Sequence, residues 1–243
     1  MKTAVIQNEK IIIKEAEKIF LNSRKGAVVK VLGCGLCGSD IVKFLHKISP
    51  DGTVLGHEIV GQIVEINSDT NFKIGDIIVT SHHIPCGNCV YCRHGNVSMC
   101  EHFKSTNIYP GGFSEFVYLT EEHLQNVAHI KPENLSEVEA SFYEPLGCIV
   151  RAVKRANLIE NDNVLVVGLG SIGILSAQCL KAYGANVLGC DLLEERVKLL
   201  KYFGIDATDV RKISSDYKAD CIFMTSGADK ALGTALKYVR NGG

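Results

Sequence analysis

Gly168-Leu169-Gly170-Ser171-Ile172-Gly173 places three glycines between an apolar, strand-like run, Asn163–Val167, and a helix-like stripe, Ser171–Tyr183. Glycine-rich hexamers arise by chance, but one that turns a buried strand straight into a helix belongs to a βαβ unit and restricts the fold severely. The rest of the second half agrees. Asn186–Cys190 reads as the next strand, Glu194–Phe203 as a helix, Asp206–Val210 as a short strand, Asp220–Met224 as a further strand and Lys230–Val239 as a helix. Alternating β and α elements with short connections imply a parallel, doubly wound Rossmann sheet over residues 151–243. Such a sheet typically has about six strands, and only about four are visible. The sequence ends on the turn-like Asn241-Gly242-Gly243, so this domain is expected to be incomplete at its C-terminus.

The motif carries its own chemistry. Gly168 permits the tight turn, Gly170 lets a pyrophosphate approach the backbone, and Gly173 lets helix and strand pack closely. Ser171 and Ile172 stand at the helix N-terminus, whose N–H groups face the phosphate charge. Asp191, at the end of the next strand, is placed to accept hydrogen bonds from a ribose 2′-hydroxyl and to repel a 2′-phosphate, which favours NAD over NADP. Arg196 is the nearby cation able to reach a phosphate, with pairing to a helix-surface glutamate as the plainer alternative. For Asp191 the plainer reading is a solvated carboxylate at a strand end.

The first half, residues 1–150, has a different texture. Lys2–Ile6, Lys10–Ile13, Ala27–Leu32, Ile59–Ile66, Ile77–Thr80 and Gly112–Leu119 read as strands, with Ile74-Gly75-Asp76 as a turn. Between them, residues 85–100 are rich in cysteine, glycine and asparagine and poor in apolar side chains, so this lobe needs a staple. Cys86-x2-Cys89-x2-Cys92-x7-Cys100 supplies one. Four thiolates close a tetrahedral shell and leave no position for water, which is the pattern of structural zinc. An iron–sulfur cluster also takes four thiolates, though these spacings differ from ferredoxin runs. A nucleic-acid-binding zinc ribbon is a further alternative, but it leaves the glycine motif and Asp191 unexplained.

Composition narrows the remaining classes. The chain has ten cysteines in 243 residues and a formal net charge of −1. The N-terminus turns polar too early for a signal-peptide core, so reduced thiols and a cytoplasmic location are expected rather than a disulfide framework. A near-neutral charge gives no footprint for nucleic acid or an anionic membrane, and no apolar run approaches the roughly 20 residues that span a bilayer.

Three shorter pieces remain: Gly35-Leu36-Cys37-Gly38-Ser39-Asp40, Gly56-His57-Glu58 and Tyr143-Glu144-Pro145-Leu146. Taken singly, Cys37 is compatible with a loop thiol, His57 with a core imidazole and Glu144 with a helix-start carboxylate. In this order, with the cysteine lobe and the glycine motif, the whole chain resembles the zinc-containing medium-chain alcohol/polyol dehydrogenases. Glu144-Pro145 is similar to the sorbitol, threonine and butanediol dehydrogenase branch. The resemblance implies a GroES-like catalytic domain followed by the Rossmann domain, with one structural and one catalytic zinc. It implies that Cys37, His57, Glu58 and Glu144 surround the catalytic zinc, that Ser39 hydrogen-bonds the substrate hydroxyl, and that Asp40 orients His57. It also implies a small alcohol, polyol, diol or hydroxy-amino acid substrate, and the homodimers or homotetramers of full-length relatives.

The donor set suits that chemistry. A thiolate, an imidazole and one carboxylate leave an open position on zinc, a Lewis acid for the alcohol, while the hydride passes to the nicotinamide ring. Two points stand out against the resemblance. Neighbours on a regular strand point to opposite faces, so His57 and Glu58 converge on one metal only where the backbone turns. And many relatives carry a histidine two residues after the motif's aspartate; here the position holds Val42, with Lys43 beside it and His46 as the nearest histidine. Proton release then runs through Ser39, the cofactor ribose and water. The competing expectation is a non-catalytic fragment that keeps zinc and nucleotide without turnover.

Overall fold

The computed structural model describes residues 1–243, apart from the side chain of Asp229. The chain divides into two compact units, Met1–Glu144 and Pro145–Gly243.

In the first unit, β1 (Lys2–Gln7) and β2 (Lys10–Glu15) form an antiparallel hairpin whose turn residues Asn8 and Glu9 both have positive φ, 49° and 61°. β3 (Gly26–Gly35) follows, then α1 (Gly38–Leu45), β4 (Glu58–Asn67) and β5 (Ile77–Thr80). The cysteine lobe carries only α2 (Val90–Arg93), α3 (Glu101–Ser105) and a short 3-10 turn between them. β6 (Phe116–Thr120), α4 (Glu121–Asn126), β7 (Ala128–Ile130) and α5 (Glu137–Ala140) complete the unit. Five strands make an antiparallel sheet in the order β6-β3-β4-β5-β7.

Both faces of β3 are covered. Ala27 and Val29 pack with Ile63, Ile78, Val117 and Leu119, while Val28 packs on the other side with Ile19 and Leu21. That is why Ala27, Val28 and Val29 are apolar in succession rather than alternating, until the exposed Lys30.

The strand expected over Gly112–Leu119 pairs with β3 only from Phe116 onward. Upstream, Gly112 N–H donates to Gly56 O at 2.7 Å and Phe113 N–H to Leu55 O at 2.9 Å. The approach is so close that a Cβ on Gly112 would meet Cys34 Sγ and Ile59 at 2.7 Å. The segment therefore braces the loop that carries His57 instead of lengthening the sheet.

α6 (Tyr143–Ala156) begins in the first unit and leads into the second. There β8 (Asn163–Val167), α7 (Ser171–Ala182), β9 (Asn186–Asp191), α8 (Glu194–Tyr202), β10 (Asp206–Asp209), β11 (Cys221–Met224) and α9 (Asp229–Ala235) alternate as the sequence predicts. Their strands form a parallel sheet in the order β10-β9-β8-β11. Val164 and Val166 face the helices of one layer, Leu165 and Val167 those of the other, so the central strand is buried on both sides. α9 stops short of the expected Val239 because Ala219 N–H takes the carbonyl of Tyr238 at 2.7 Å, drawing residues 237–239 into a bridge beside the sheet. Among the described residues, no helix is long and apolar enough to cross a membrane.

Candidate active site

Cys37 is the N-cap of α1. Its thiol accepts from Ser39 N–H at 3.5 Å, and the Asp40 carboxylate reaches back to Cys37 N–H at 3.3 Å, closing a capping box. The same carboxylate accepts from Gly56 N–H at 3.4 Å and lies 3.4 Å from His57 Nδ1. Asp40 thus ties the Cys37 loop to the His57 loop and is itself only 2% exposed. Burial pushes its carboxyl up, but the bond and charge of His57, with the N–H groups of Gly56 and Cys37, hold it below the usual range. Burial pulls His57 down; Asp40, Glu144 and Glu58 outweigh that and raise it.

His57 and Glu58 converge because β4 begins only at Glu58, two residues after a glycine in the left-handed region. Gly56 has φ +88°, and a Cβ there would meet Phe113 N at 2.8 Å. The alternation that sends adjacent side chains to opposite faces applies inside a strand, not across this turn. Ligand atoms of Cys37, His57 and Glu58 consequently all lie within 4.8 Å of one another. Donors around a tetrahedral zinc are roughly 3.3–3.8 Å apart, so the group fits a metal with small side-chain adjustments. With Nδ1 facing Asp40, Nε2 of His57 is left for the metal. Glu144, in the first turn of α6, stands outside that close group, with Oε1 3.9 Å from His82 Nδ1. Burial raises its carboxyl, as do Glu58 and Asp40, against the lowering effect of His57.

His82 has no counterpart among the residues singled out from the sequence. Its ring lies 4.6 Å from that of His57 and 3.9 Å from that of His83, centre to centre. Burial pushes it down to about 3, helped by His83, His57 and Lys43, so it is neutral. The antiparallel register pairing Val60 with Val79, carried past the end of β5, sets position 57 opposite position 82. The signal available in the sequence was the His82-His83 pair directly before the cysteine lobe. Ser39 is exposed in the first turn of α1; Val42 is exposed on the same helix, and His46 caps its far end. Eight residues of helix span about 12 Å, which separates His46 from Cys37.

In the lobe, Cys86, Cys89, Cys92 and Cys100 also bring their sulfurs within 4.8 Å of one another. Gly87 and Gly95, at φ +74° and +69°, make the turns. Backbone N–H groups of Cys86, Cys89 and Cys92 donate to the sulfurs of Cys100, Cys86 and Cys89 at 3.4–3.5 Å. The N–H groups of Cys86 and Phe103 pull the Cys100 thiol down to about 6. Four convergent sulfurs in a segment without a core of its own fit zinc, with no open position.

In the second unit, Gly168 has φ +95° and Gly170 is the N-cap of α7 with open space where a Cβ would stand. A Cβ on Gly173 would meet Gly168 O at 1.9 Å. Ser171 and Ile172 are exposed at the start of α7. Asp191 ends β9, accepting from Leu169 N–H at 2.7 Å and Leu193 N–H at 2.9 Å. Arg196 pairs with Asp191 itself, at 3.3 Å, rather than with a glutamate of its helix.

Comparison with known proteins gives the same division. Residues 23–130 match the family model described as "Alcohol dehydrogenase GroES-like domain", and residues 171–243 match "Zinc-binding dehydrogenase". The chain is 35% identical to D-altritol 5-dehydrogenase of Agrobacterium fabrum, covering 87% of this chain and 68% of that protein. It is 28% identical to sorbitol dehydrogenase of Bacillus subtilis, covering 100% of this chain and 73% of that one. Alcohol dehydrogenase TADH from Thermus sp. ATN1 superposes with a TM-score of 0.86 at 28% identity, covering 100% of this chain and 75% of that chain. The chain belongs to the zinc-containing medium-chain alcohol/polyol dehydrogenases, enzymes with a GroES-like domain and a Rossmann-like domain that work with zinc and a nicotinamide dinucleotide.

Proposed function

We propose that the protein oxidises the CH–OH group of a secondary alcohol, polyol, diol or hydroxy-amino acid, transferring hydride to NAD. The observation that carries this reading is the convergence of Cys37, His57 and Glu58 at a site separate from the four-cysteine lobe. Thiolate, neutral imidazole and carboxylate together balance the charge of a dication while leaving it an open position. Cys37, His57 and Glu58, with Glu144 beside them, would hold the catalytic zinc; Cys86, Cys89, Cys92 and Cys100 would hold the structural one.

Bound there, zinc supplies Lewis acidity that lowers the pKa of the substrate hydroxyl. The protein's own groups do the rest. Asp40 holds Nδ1–H of His57 and so fixes the imidazole's orientation and tautomer. Ser39, two residues after Cys37 and exposed, would offer the hydroxyl that takes the substrate proton on toward solvent, with Val42 supplying no imidazole for the task. A bound nicotinamide dinucleotide would supply the hydride acceptor for the carbinol hydrogen, and Ser39 would carry the accompanying proton away, so charge and atoms balance.

In the second unit, Gly168, Gly170, Ser171, Ile172 and Gly173 would cradle the pyrophosphate at the start of α7. Asp191 would accept from the ribose hydroxyls; its two backbone N–H bonds keep the carboxylate in place. The test is metal analysis combined with NADH absorbance over a panel of small diols, polyols and hydroxy-amino acids. We expect two zinc ions per chain, one of them lost in Cys37→Ser together with turnover. Both zinc ions retained by Cys37→Ser, or turnover without the second ion, overturns the assignment.

A further inference from the structure

α1 turns one face toward the loop that carries His57. Asp40 is buried on that face, against His57 and Gly56. Lys43 follows three residues after Asp40 and four after Ser39, spacings that put side chains on neighbouring turns with Cβ atoms about 5–6 Å apart. Lys43 is half-buried, whereas Ser39, Ile41, Val42 and Leu45 are exposed. The ammonium is thus partly desolvated yet still open to a ligand arriving over Ser39.

The Lys43 ammonium has no hydrogen-bond or ion-pair partner among the described residues. The next lysine, Lys47, does have one, Glu9 at 2.6 Å. Near the metal ligands the carboxylates are engaged elsewhere, Asp40 with His57 and Glu144 beside His82. The charge of Lys43 falls instead on imidazoles. Burial pulls His83 down most; the Thr106 carbonyl raises it, and Lys43 and His57 add to the lowering. Burial also leads in His82, and Lys43 is again among the groups that hold it down. Neutral rings cannot balance an ammonium. A partly buried cation without a counter-charge is costly, and an anion that pairs with it gains a charge-assisted hydrogen bond.

We propose that Lys43 binds an anionic group of the substrate, a phosphate or a carboxylate a few carbon atoms from the carbinol, so that the protein acts on charged hydroxy compounds in preference to neutral ones. This rests on the dehydrogenase reading above, in which Ser39, one turn back along α1, receives the carbinol. Lysine is a point charge on a flexible stem and accepts either anion. Lys43 also lies in the last turn of α1, where a cation complements the helix dipole. That second role makes no distinction between substrates.

The experiment measures kcat/KM of the zinc-loaded protein with NAD on five- and six-carbon polyols, their terminal monophosphates and the matching sugar acids. Wild type, Lys43→Met and Lys43→Arg are compared. Calorimetry follows binding of the same compounds to the NADH complex, with zinc content and melting temperature recorded alongside. Methionine keeps an unbranched stem without charge, and arginine restores the charge. The wild type is expected to favour one anionic series over the neutral one by at least about tenfold, the worth of a hydrogen bond to a charged group, and the favoured series identifies the anion. Lys43→Met should lose about 10–100-fold on that series, in kcat/KM and in calorimetric affinity, and less than about threefold on neutral polyols. Lys43→Arg should recover most of the loss, and both variants should keep two zinc ions.

A wild type that favours neutral polyols overturns the proposal without any variant. Equal losses on all three series in Lys43→Met, or an unchanged preference there, overturn it as well. A lower melting temperature with that preference intact would leave Lys43 a partner of the helix dipole only. A wild type with two zinc ions that oxidises nothing in these series or in the panel above refutes the dehydrogenase reading, whereas turnover without preference for an anion refutes only the role of Lys43.

Discussion

The carboxylate of Glu58 lies directly over the α-carbon of Gly35, so that a Cβ at position 35 would meet Oε2 at 2.1 Å. The two residues face each other across the last pair of the β3–β4 ladder. Gly35 is therefore a spacer: the empty side-chain position is where the Glu58 carboxylate turns back toward Cys37.

Gly35→Ala should push the Glu58 carboxylate out of the ligand group while leaving the strands paired. Losing even a group that only supports a metal ligand typically costs 10–100-fold in affinity or activity, so displacing Glu58 should cost at least about that in zinc affinity at one of two sites. Competitive chelation followed by metal analysis reads it. A Gly35→Ala protein with two tightly held zinc ions and full turnover would remove Glu58 from the ligand set.

Asp40 joins two loops and one helix end. Asp40→Asn keeps an acceptor for Gly56 N–H but removes the charge that pairs with His57 Nδ1. We expect zinc affinity at this site to fall about 10–100-fold, since a partner behind a histidine ligand is worth that much. The capping box weakens as well, at about 1 kcal/mol. A drop in melting temperature without any change in zinc affinity would make Asp40 a helix cap and nothing more.

These two residues also mark what the sequence can and cannot tell. Gly168–Gly173 and the four lobe cysteines were legible because their geometry is local: a tight turn, a close strand–helix contact, and thiols a few residues apart. Asp40 and Cys37 were legible through a resemblance, and α1 supplies the physical reason, since both are capping residues of one helix. The joint use of His57 and Glu58 was legible only through the resemblance, not from the local pattern. Strand alternation argues against it, and only the point where β4 starts, fixed by pairing with β3, removes the objection. His82 was invisible for a related reason. It reaches His57 through sheet register across 25 residues of chain, and no short pattern records which two strand ends meet.

The lobe makes a separate prediction. With little core of its own, residues 85–100 depend on their metal. Cys100→Ser should lose one zinc per chain and lower the melting temperature. Protease cleavage should appear between Cys86 and Cys100, while the sheet around Ala27 and Val29 stays protected in hydrogen exchange. His83 links the lobe to the other site, because its Nδ1 bonds Thr106 O just beyond α3 and its ring lies against His82 and Phe103. Turnover should accordingly decline together with lobe order. Full turnover in a protein with a cleaved lobe would show that the two sites are independent.

The last prediction concerns the choice of dinucleotide. Asp191 presents a carboxylate whose burial raises it, but Leu169 N–H, Leu193 N–H and Arg196 hold it below the usual range. It stays ionised where a ribose hydroxyl would donate to it and a 2′-phosphate would be repelled. Arg196 already neutralises some of that charge at 3.3 Å, which makes the preference smaller than a free carboxylate would give. Asp191→Ala frees Arg196 and removes the repulsion. Hydrogen bonds to a charged group are worth about 1.5–3 kcal/mol, so NADH should bind about 10–100-fold more weakly while NADPH tightens. Arg196→Ala should move the ratio the other way. Leu169 is fully buried and loses its acceptor in Asp191→Ala, so the melting temperature must be read beside the two dissociation constants. Tighter binding of NADPH than NADH by the unmodified protein would reverse the assignment of Asp191.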